Sequence, residues 1–214
     1  MILNNDNALK VAEFLLQIKA IKLNVAEPFT WASGIKSPIY CDNRITLSYP
    51  NIRTFIRQKY TETILDTFGK PDVIAGVATG GIAQGALIAQ DLGIPFIYVR
   101  SSAKEHGMGN QIEGYFEKEQ TVVVIEDLLS TGGSSLKAVE ALRAAGCHVK
   151  GLVAIFTYDF PIAEESFKAA SCPFYTLSNY DTLIDQALDL NYINKEDLKS
   201  LKKWRENPSE WKKA

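Results

Sequence analysis

The sequence predicts an α/β fold in which a parallel, twisted sheet is flanked by helices on both sides. Short apolar runs typical of strands alternate with helical patterns through the middle of the chain, and this alternation favours parallel β-α-β units. The run Val122–Ile125 is continuously apolar, as expected for a strand that is covered on both faces. With 214 residues, 46% of them hydrophobic and 22% charged, the composition is that of an ordinary globular domain. We therefore expect a single domain.

The N-terminal part is predicted to contain one helix and a short β region. The polar run Asn4–Asp6 offers a helix cap, and Val11, Leu15 and Ile18 follow at the spacing of one helical face. The segment Phe29–Asp42 contains a Ser-Gly pair, a proline and β-prone residues, which favours a strand or hairpin ahead of the main sheet.

The remaining elements are predicted from apolar periodicity and from glycine and proline positions. A helix begins near Pro50, because proline suits the first helical turn, and its apolar face carries Ile52, Phe55, Ile56, Tyr60, Ile64 and Phe68. The predicted order then runs through strand Val73–Val77, helix Gly81–Leu92, strand Pro95–Val99, a polar loop Arg100–Gly114, strand Thr121–Ile125, helix Gly133–Ala145, strand Val149–Tyr158 and a charged helix around Lys195–Arg205. The sequence thus divides into an N-terminal segment (about 1–48), an α/β core (about 49–180) and C-terminal helices (about 181–214).

Charge, cysteine content and hydropathy exclude several classes of protein. The 23 basic and 25 acidic residues give a net charge of -2, without the basic excess of a typical nucleic-acid-binding protein. The three cysteines are scattered, and we interpret them as reduced thiols rather than zinc ligands. No apolar run approaches the roughly 20 residues that span a bilayer, and the N-terminus lacks a signal-peptide pattern. We therefore expect a cytoplasmic protein with no membrane or nucleic-acid partner.

The segment from Val122 to Ser135 has the strongest chemical pattern. An apolar strand runs into Glu126 and Asp127, then into a short loop of hydroxyls and glycines, and then into a helix. Ligands of open α/β sheets bind beyond the carboxyl ends of the strands. Gly132 and Gly133 let the backbone approach a ligand closely, and the start of a helix favours a phosphate. The segment therefore lies where a phosphorylated ligand is expected.

The two acids and the hydroxyls indicate a sugar phosphate. Carboxylates repel a phosphate but accept hydrogen bonds from ribose hydroxyls. Donors to a phosphate are available on Ser130, Thr131, Ser134 and Ser135. The sequence contains neither G-x-x-x-x-G-K-[ST] nor G-x-G-x-x-G, so two familiar phosphate loops are excluded. Alternatively, this segment has no ligand: the acids cap or solvate the helix start, and the glycines only form a turn.

This stretch closely resembles the signature with which type I phosphoribosyltransferases bind PRPP (5-phosphoribosyl 1-diphosphate). The resemblance implies the fold of that family, with a small N-terminal hood over the sheet. It also implies that PRPP is bound by Glu126, Asp127, Leu128, Leu129, Ser130, Thr131, Gly132, Gly133 and Ser134.

The loop Arg100–Asn110 brings Arg100, Lys104 and His106 together among small residues. Cations on such a loop can close over a diphosphate, and the alternative is a solvated surface loop. The loop resembles the catalytic loop of orotate phosphoribosyltransferases. That likeness places Arg100, Lys104 and His106 on the diphosphate of PRPP and implies a homodimer in which the loop completes the neighbouring subunit's site. Lys104 is then expected to be catalytic together with Glu126 and Asp127. The segment Ala75–Ala83 resembles the loop that contacts the diphosphate in the same family.

The segment 29–42, here called the hood, is similar to the base-covering segment of orotate phosphoribosyltransferases. Its aromatic residues and Lys36 are candidates to face a flat, anionic pyrimidine, and Ser130 carries over as an orotate contact. The chain departs from many members of the family at three positions. Ala32 and Gly80 stand where many carry a lysine, and Tyr158 where many carry an arginine.

The resemblance implies a Mg²⁺-dependent enzyme of pyrimidine (UMP) biosynthesis that joins orotate to PRPP. Mg²⁺ is expected to be held mainly by PRPP and water, without dedicated protein ligands. Three alternatives remain open from the sequence. They are a phosphoribosyltransferase for a purine or for uracil, a PRPP-sensing regulator that binds nucleic acid, and a generic phosphosugar-binding domain.

Overall fold

The computed structural model describes residues 1–31, 34–101 and 111–211. Its helices are α1 Asn5–Gln17, α2 Pro50–Phe68, α3 Gly80–Leu92, α4 Gly133–Ala144, α5 Pro161–Ala169, α6 Tyr180–Asp189 and α7 Lys195–Glu206, with a 3-10 helix at Asn43–Ser48. Its strands are β1 Ile21–Leu23, β2 Phe29–Thr30, β3 Lys36–Ser37, β4 Ile39–Cys41, β5 Val73–Val77, β6 Phe96–Val99, β7 Ile112–Glu113, β8 Thr121–Leu129, β9 His148–Thr157 and β10 Phe174–Asn179. Among the described helices, none is long and apolar enough to cross a membrane.

Six strands form the main sheet in the order β10-β9-β8-β5-β6-β7. Neighbouring strands are parallel except for β7, which pairs antiparallel with β6 at one edge. The predicted α/β fold is therefore confirmed. In this order the central β8 lies between β5 and β9, so the loops that follow these three strands meet at one end of the sheet.

The two faces of the sheet are covered by different helices. Val123 and Ile125 of β8 pack in a core with α1, α2, α3 and α6. Val122 and Val124 pack in a second core with α4 and Phe167 of α5. Because successive side chains of a strand point to opposite faces, the apolar run predicted to be buried on both sides is confirmed in detail.

Strand β8 is longer than predicted, and this changes the setting of the two acids. The strand continues through Glu126 and Asp127 to Leu129. Leu128 pairs with Phe156 of β9, and Leu129 pairs with Thr157. The prediction that the strand ends at Ile125 is therefore wrong, since parallel pairing with β9 extends it by four residues. The acids lie in a strand, and on opposite sides of it.

The N-terminal segment forms two small antiparallel sheets. In the hood, β2 pairs with β3, as predicted for a hairpin. Strand β4 pairs with β1, a three-residue strand that the sequence did not predict. The predicted loop Arg100–Gly114 is also partly wrong, because it contains β7 at the sheet edge.

Candidate active site

Three neighbouring cavities surround the carboxyl end of β8. The base-side cavity, about 260 Å³, is lined by Thr30, Trp31, Tyr40, Cys41, Leu128, Ser130 and Tyr158. The acid-side cavity, about 300 Å³, is lined by Cys41, Asp42, Arg44, Ala78, Thr79, Gly80, Glu126, Asp127, Leu128 and Ser134. The loop-side cavity, about 270 Å³, is lined by Val77, Ala78, Val99, Arg100, Ser101, Gly133, Ser134, Lys137 and Ala138. Shared residues make the three one continuous surface. A larger cavity of about 870 Å³ lies beside α5 and contains none of the predicted site residues.

Glu126 is turned towards helix α4 and is 5% exposed. Its carboxylate accepts hydrogen bonds from Ser135 Oγ at 3.0 Å and from the Asp127 backbone N–H at 3.0 Å. Burial, with repulsion from Asp127, raises the pKa of Glu126 well above its usual range. The two acids are therefore not equivalent: one carboxylate is already engaged by the protein, and the other is half-buried at the cavity.

We expect Glu126→Gln to stabilise the fold. The amide oxygen can accept from the Asp127 N–H while the NH₂ donates to Ser135 Oγ, so both contacts persist. An acid whose pKa is raised by folding destabilises the native state as pH rises above its unfolded value of about 4.3. Glutamine removes this cost, and a gain of roughly 1 kcal/mol corresponds to a melting temperature about 2–4 °C higher at neutral pH.

Thermal unfolding from pH 4 to pH 8 measures this effect. The gain should be absent at pH 4 and grow with pH, whereas exposed Glu140→Gln on α4 should change little at any pH. A lower melting temperature for Glu126→Gln at pH 8 would contradict the assignment of a destabilising buried carboxyl.

Asp127 lies against the first residue of helix α3. A Cβ on Gly80 would approach the Asp127 Cγ and Oδ1 to 2.2 Å, so the carboxylate occupies the space of a side chain at position 80. The next glycine is equally constrained, since a Cβ on Gly81 would lie 2.2 Å from the Ile125 carbonyl oxygen. These two glycines bring the start of α3 into contact with the end of β8. They place a carboxylate at the mouth of the acid-side cavity.

The turn between β8 and α4 requires a glycine at one position. Gly132 has φ +81°, and a Cβ there would lie 2.6 Å from the Phe167 ring, so glycine is required on both counts. Gly133 faces open space and begins α4. Ser130 and Ser134 line cavities on either side of this turn. The predicted loop therefore lies at a helix N-terminus, where backbone N–H groups favour an anion.

Two hydrogen bonds join Arg100 and Gln111, which lie at either end of the predicted cationic segment. The Arg100 N–H donates to the Gln111 carbonyl at 2.9 Å, and Gln111 Nε2 donates back to the Arg100 carbonyl at 3.0 Å. Arg100 also lies 3.7 Å from the Glu113 carboxylate and lines the loop-side cavity. Lys104 and His106 lie outside the described residues.

The base-side cavity is aromatic and lies under the hood. Trp31 and Tyr158 pack with ring centroids 5.4 Å apart, and the Trp31 indole N–H donates to the Ile39 carbonyl. Tyr158 is 3% exposed and lines the cavity together with Ser130. Lys36 instead donates to Thr30 Oγ1 at 2.8 Å and is not among the residues that line the cavity. The position of Lys36 therefore does not support the prediction that it faces the pyrimidine.

Sequence reasoning missed two contributors to the site and assigned a different partner to a third. Ser135 holds Glu126, and Asn43 Nδ2 donates to the Asp127 carbonyl at 2.6 Å. Arg44 lines the acid-side cavity. Ser135 was predicted as a donor to a phosphate, but it is 1% exposed and donates to the buried Glu126 carboxylate instead. The other two come from a 3-10 helix more than 80 residues away, and no local pattern connects them with Asp127.

Comparison with known proteins agrees with this geometry. The family model of the phosphoribosyl transferase domain matches residues 44–173. An orotate phosphoribosyltransferase of Bacteroides thetaiotaomicron is 59% identical over 200 residues and covers 94% of each chain. One of Listeria monocytogenes is 56% identical over 204 residues, which are 95% of this chain and 98% of that protein. The chain belongs to the orotate phosphoribosyltransferase family.

The fold of this family is also seen in solved structures. The orotate phosphoribosyltransferase of Aeropyrum pernix superimposes with a TM-score of 0.72 at 26% identity, over 86% of this chain and 99% of that one. The family resemblance inferred from the acid pair and the turn after it is therefore confirmed, as is the type I phosphoribosyltransferase fold.

Proposed function

We propose that this enzyme transfers the 5-phosphoribosyl group of PRPP to orotate, giving orotidine 5′-monophosphate and diphosphate for pyrimidine biosynthesis. One observation carries the proposal. In a chain 59% identical to a named orotate phosphoribosyltransferase, Asp127 and the turn 130–134 lie together at the carboxyl end of β8. The turn suits the 5-phosphate, and the acid suits the ribose hydroxyls next to it.

The proposed reaction relies on positioning and electrostatics. As the bond from C1 to diphosphate lengthens, positive charge develops on the ribose. Asp127 stabilises that charge while it accepts hydrogen bonds from the hydroxyls. The buried Glu126 accepts a hydrogen bond from the Asp127 backbone N–H and so helps to position Asp127. Orotate, held between the hood and Ser130, then attacks C1 through its ring nitrogen from the opposite face.

Mg²⁺ fits this site as a companion of PRPP. No group of three or more potential metal-ligating side chains occurs within 1–31, 34–101 and 111–211. Mg²⁺ usually keeps several waters and binds substrate phosphates with one or two carboxylates, and Asp127 offers one at the acid-side cavity. When bound, the ion would offset the negative charge of the diphosphate.

We further propose that Lys104, with Arg100 and His106, stabilises the departing diphosphate, and that the loop acts on the neighbouring subunit's site in a cytoplasmic homodimer. Lys104→Ala should lower kcat by about 10²-fold or more, a typical loss for one oriented charge donor. Steady-state kinetics with saturating Mg-PRPP and orotate measures it. A rate close to that of the unsubstituted enzyme would overturn the role of the loop.

The test of the reaction is the fall in orotate absorbance on addition of Mg-PRPP, with diphosphate measured in parallel. We expect one diphosphate for each orotate consumed. Adenine, hypoxanthine and uracil, offered in place of orotate, should release little or none. Release with one of these bases alone would identify a different base, and binding of PRPP without any release would favour a phosphosugar-binding module.

A further inference from the structure

Arg44 is a cation at the acid-side cavity that the proposed mechanism has not used. It belongs to the 3-10 helix Asn43–Ser48 and lines the cavity together with Thr79, Gly80 and Asp127. Its side chain is 58% exposed, so a ligand in the cavity can reach it. Resting on the proposed function, we propose that Arg44 binds the diphosphate of PRPP and is a determinant of affinity for that end of the donor.

The guanidinium of Arg44 is held by Asp42 in one orientation. Arg44 Nε donates to Asp42 Oδ1 at 2.7 Å, and Nη2 donates to Oδ2 at 3.0 Å. A two-bond contact of this kind fixes the plane of the guanidinium. The remaining nitrogen, Nη1, has no partner among the described residues. The arrangement therefore leaves a positioned donor for an incoming oxygen.

Hydrogen bonds hold the 3-10 helix that carries Arg44 against the carboxyl end of β8. The neighbouring Asn43 is 1% exposed and donates through Nδ2 to the Asp127 carbonyl. Thr46 Oγ1 donates to the Asn43 carbonyl at 2.6 Å, and Gln84 of α3 donates to Thr46 Oγ1 at 3.3 Å. The 3-10 helix is thus tied to both β8 and α3, which form the other walls of the cavity.

The acidic lining of the cavity favours a cation on the protein in addition to Mg²⁺. Its charged lining consists of Asp42, Glu126, Asp127 and Arg44, so Arg44 is the one basic side chain among the described residues that line it. A diphosphate facing only carboxylates would be repelled. Helix α3 supplies no cation at its first residue, which is Gly80, and a side chain there would displace the Asp127 carboxylate. Arg44 fills this need from a different element.

The 5-phosphate and the diphosphate of PRPP are proposed to bind to different elements of the fold. The turn 130–134, at the start of α4, is proposed to hold the 5-phosphate, and Arg44 lies by the β5–α3 junction at Thr79 and Gly80. Asp127, proposed to hold the ribose, lines the cavity between these elements. A ribose bound to this acid would direct its 5-phosphate to one side and its diphosphate to Arg44.

The test compares Arg44→Gln with the unsubstituted enzyme. The KM for PRPP should rise about tenfold to a hundredfold, the cost of one hydrogen bond to a charged group, with kcat and the KM for orotate within about threefold. Inorganic diphosphate and ribose 5-phosphate are then used as competitive inhibitors, and only the inhibition constant of diphosphate should rise. Arg57→Gln is the matched control, since Arg57 also pairs with an aspartate, Asp91, but on α2 and α3 away from the cavities.

The outcomes separate this inference from the proposed function. If the unsubstituted enzyme does not consume orotate with Mg-PRPP, the proposed function fails. If it does, and Arg44→Gln leaves inhibition by diphosphate within twofold or weakens both inhibitors equally, the role of Arg44 is wrong. Asp42→Asn, which loosens the guanidinium but keeps its charge, should give a smaller rise in the KM for PRPP. A larger rise than that of Arg44→Gln would also overturn the inference.

Discussion

Asp127→Asn is expected to lower kcat by about 10³-fold, at the upper end of the loss for one oriented electrostatic group. Asparagine has the same shape and can still accept a hydrogen bond from a ribose hydroxyl, but it carries no charge to stabilise the cationic ribose. The carboxylate lies at the cavity and against Gly80, so it cannot be replaced by its buried neighbour Glu126. The loss should appear in kcat, while the KM for orotate changes little.

Steady-state kinetics and thermal unfolding together decide the role of Asp127. The melting temperature of Asp127→Asn should not fall, because removing one of two adjacent acids relieves repulsion. A kcat within tenfold of that of the unsubstituted enzyme would show that the charge of this residue is not used in the reaction.

Gly80→Ala should lower kcat by several hundred-fold, on the order of the loss for the acid itself. The new methyl group would lie 2.2 Å from the Asp127 Cγ, and the carboxylate would have to leave its place. The aspartate side chain is short, so it cannot move aside and keep the same position in the cavity. Gly80→Ala is therefore expected to displace the Asp127 carboxylate from the cavity without changing residue 127 itself.

A double-mutant cycle distinguishes this displacement from general damage. In an Asp127→Ala background the atoms that collide with the methyl group are gone, so adding Gly80→Ala should cause little further loss of kcat. Independent effects of two substitutions would instead multiply in kcat. Multiplied losses would show that Gly80 is needed for a reason other than the place of the carboxylate.

Much of the fold follows from local sequence signals. The run Val122–Ile125 predicted a strand buried on both faces, and its alternate residues pack into two different cores. The helix predicted to end at Leu92 does end there, and Gly93, which follows it, adopts the left-handed conformation. The continuation of β8 through Glu126 and Asp127 could not be predicted, because acids are unfavourable in strands and only pairing with β9 overrides that preference.

The sequence predicted part of the candidate site, but it did not predict the different positions of the two acids. Once β8 is known to extend to Leu129, alternation along the strand places Glu126 towards α4 and Asp127 towards α3, and the contacts with Ser135 and Gly80 follow. The sequence alone treated the two acids as a pair. The place of Arg44 depends on packing of the 3-10 helix against β8, a contact between distant segments that no local pattern encodes.

The central claim is that the turn 130–134 binds the 5-phosphate of PRPP and that Asp127 binds its ribose hydroxyls. A crystal structure of the enzyme with Mg-PRPP tests it most directly. We predict the 5-phosphate on the backbone of residues 130–134, with a ribose hydroxyl within hydrogen-bonding distance of the Asp127 carboxylate. PRPP bound elsewhere, or bound with its 5-phosphate away from that turn, would contradict the account.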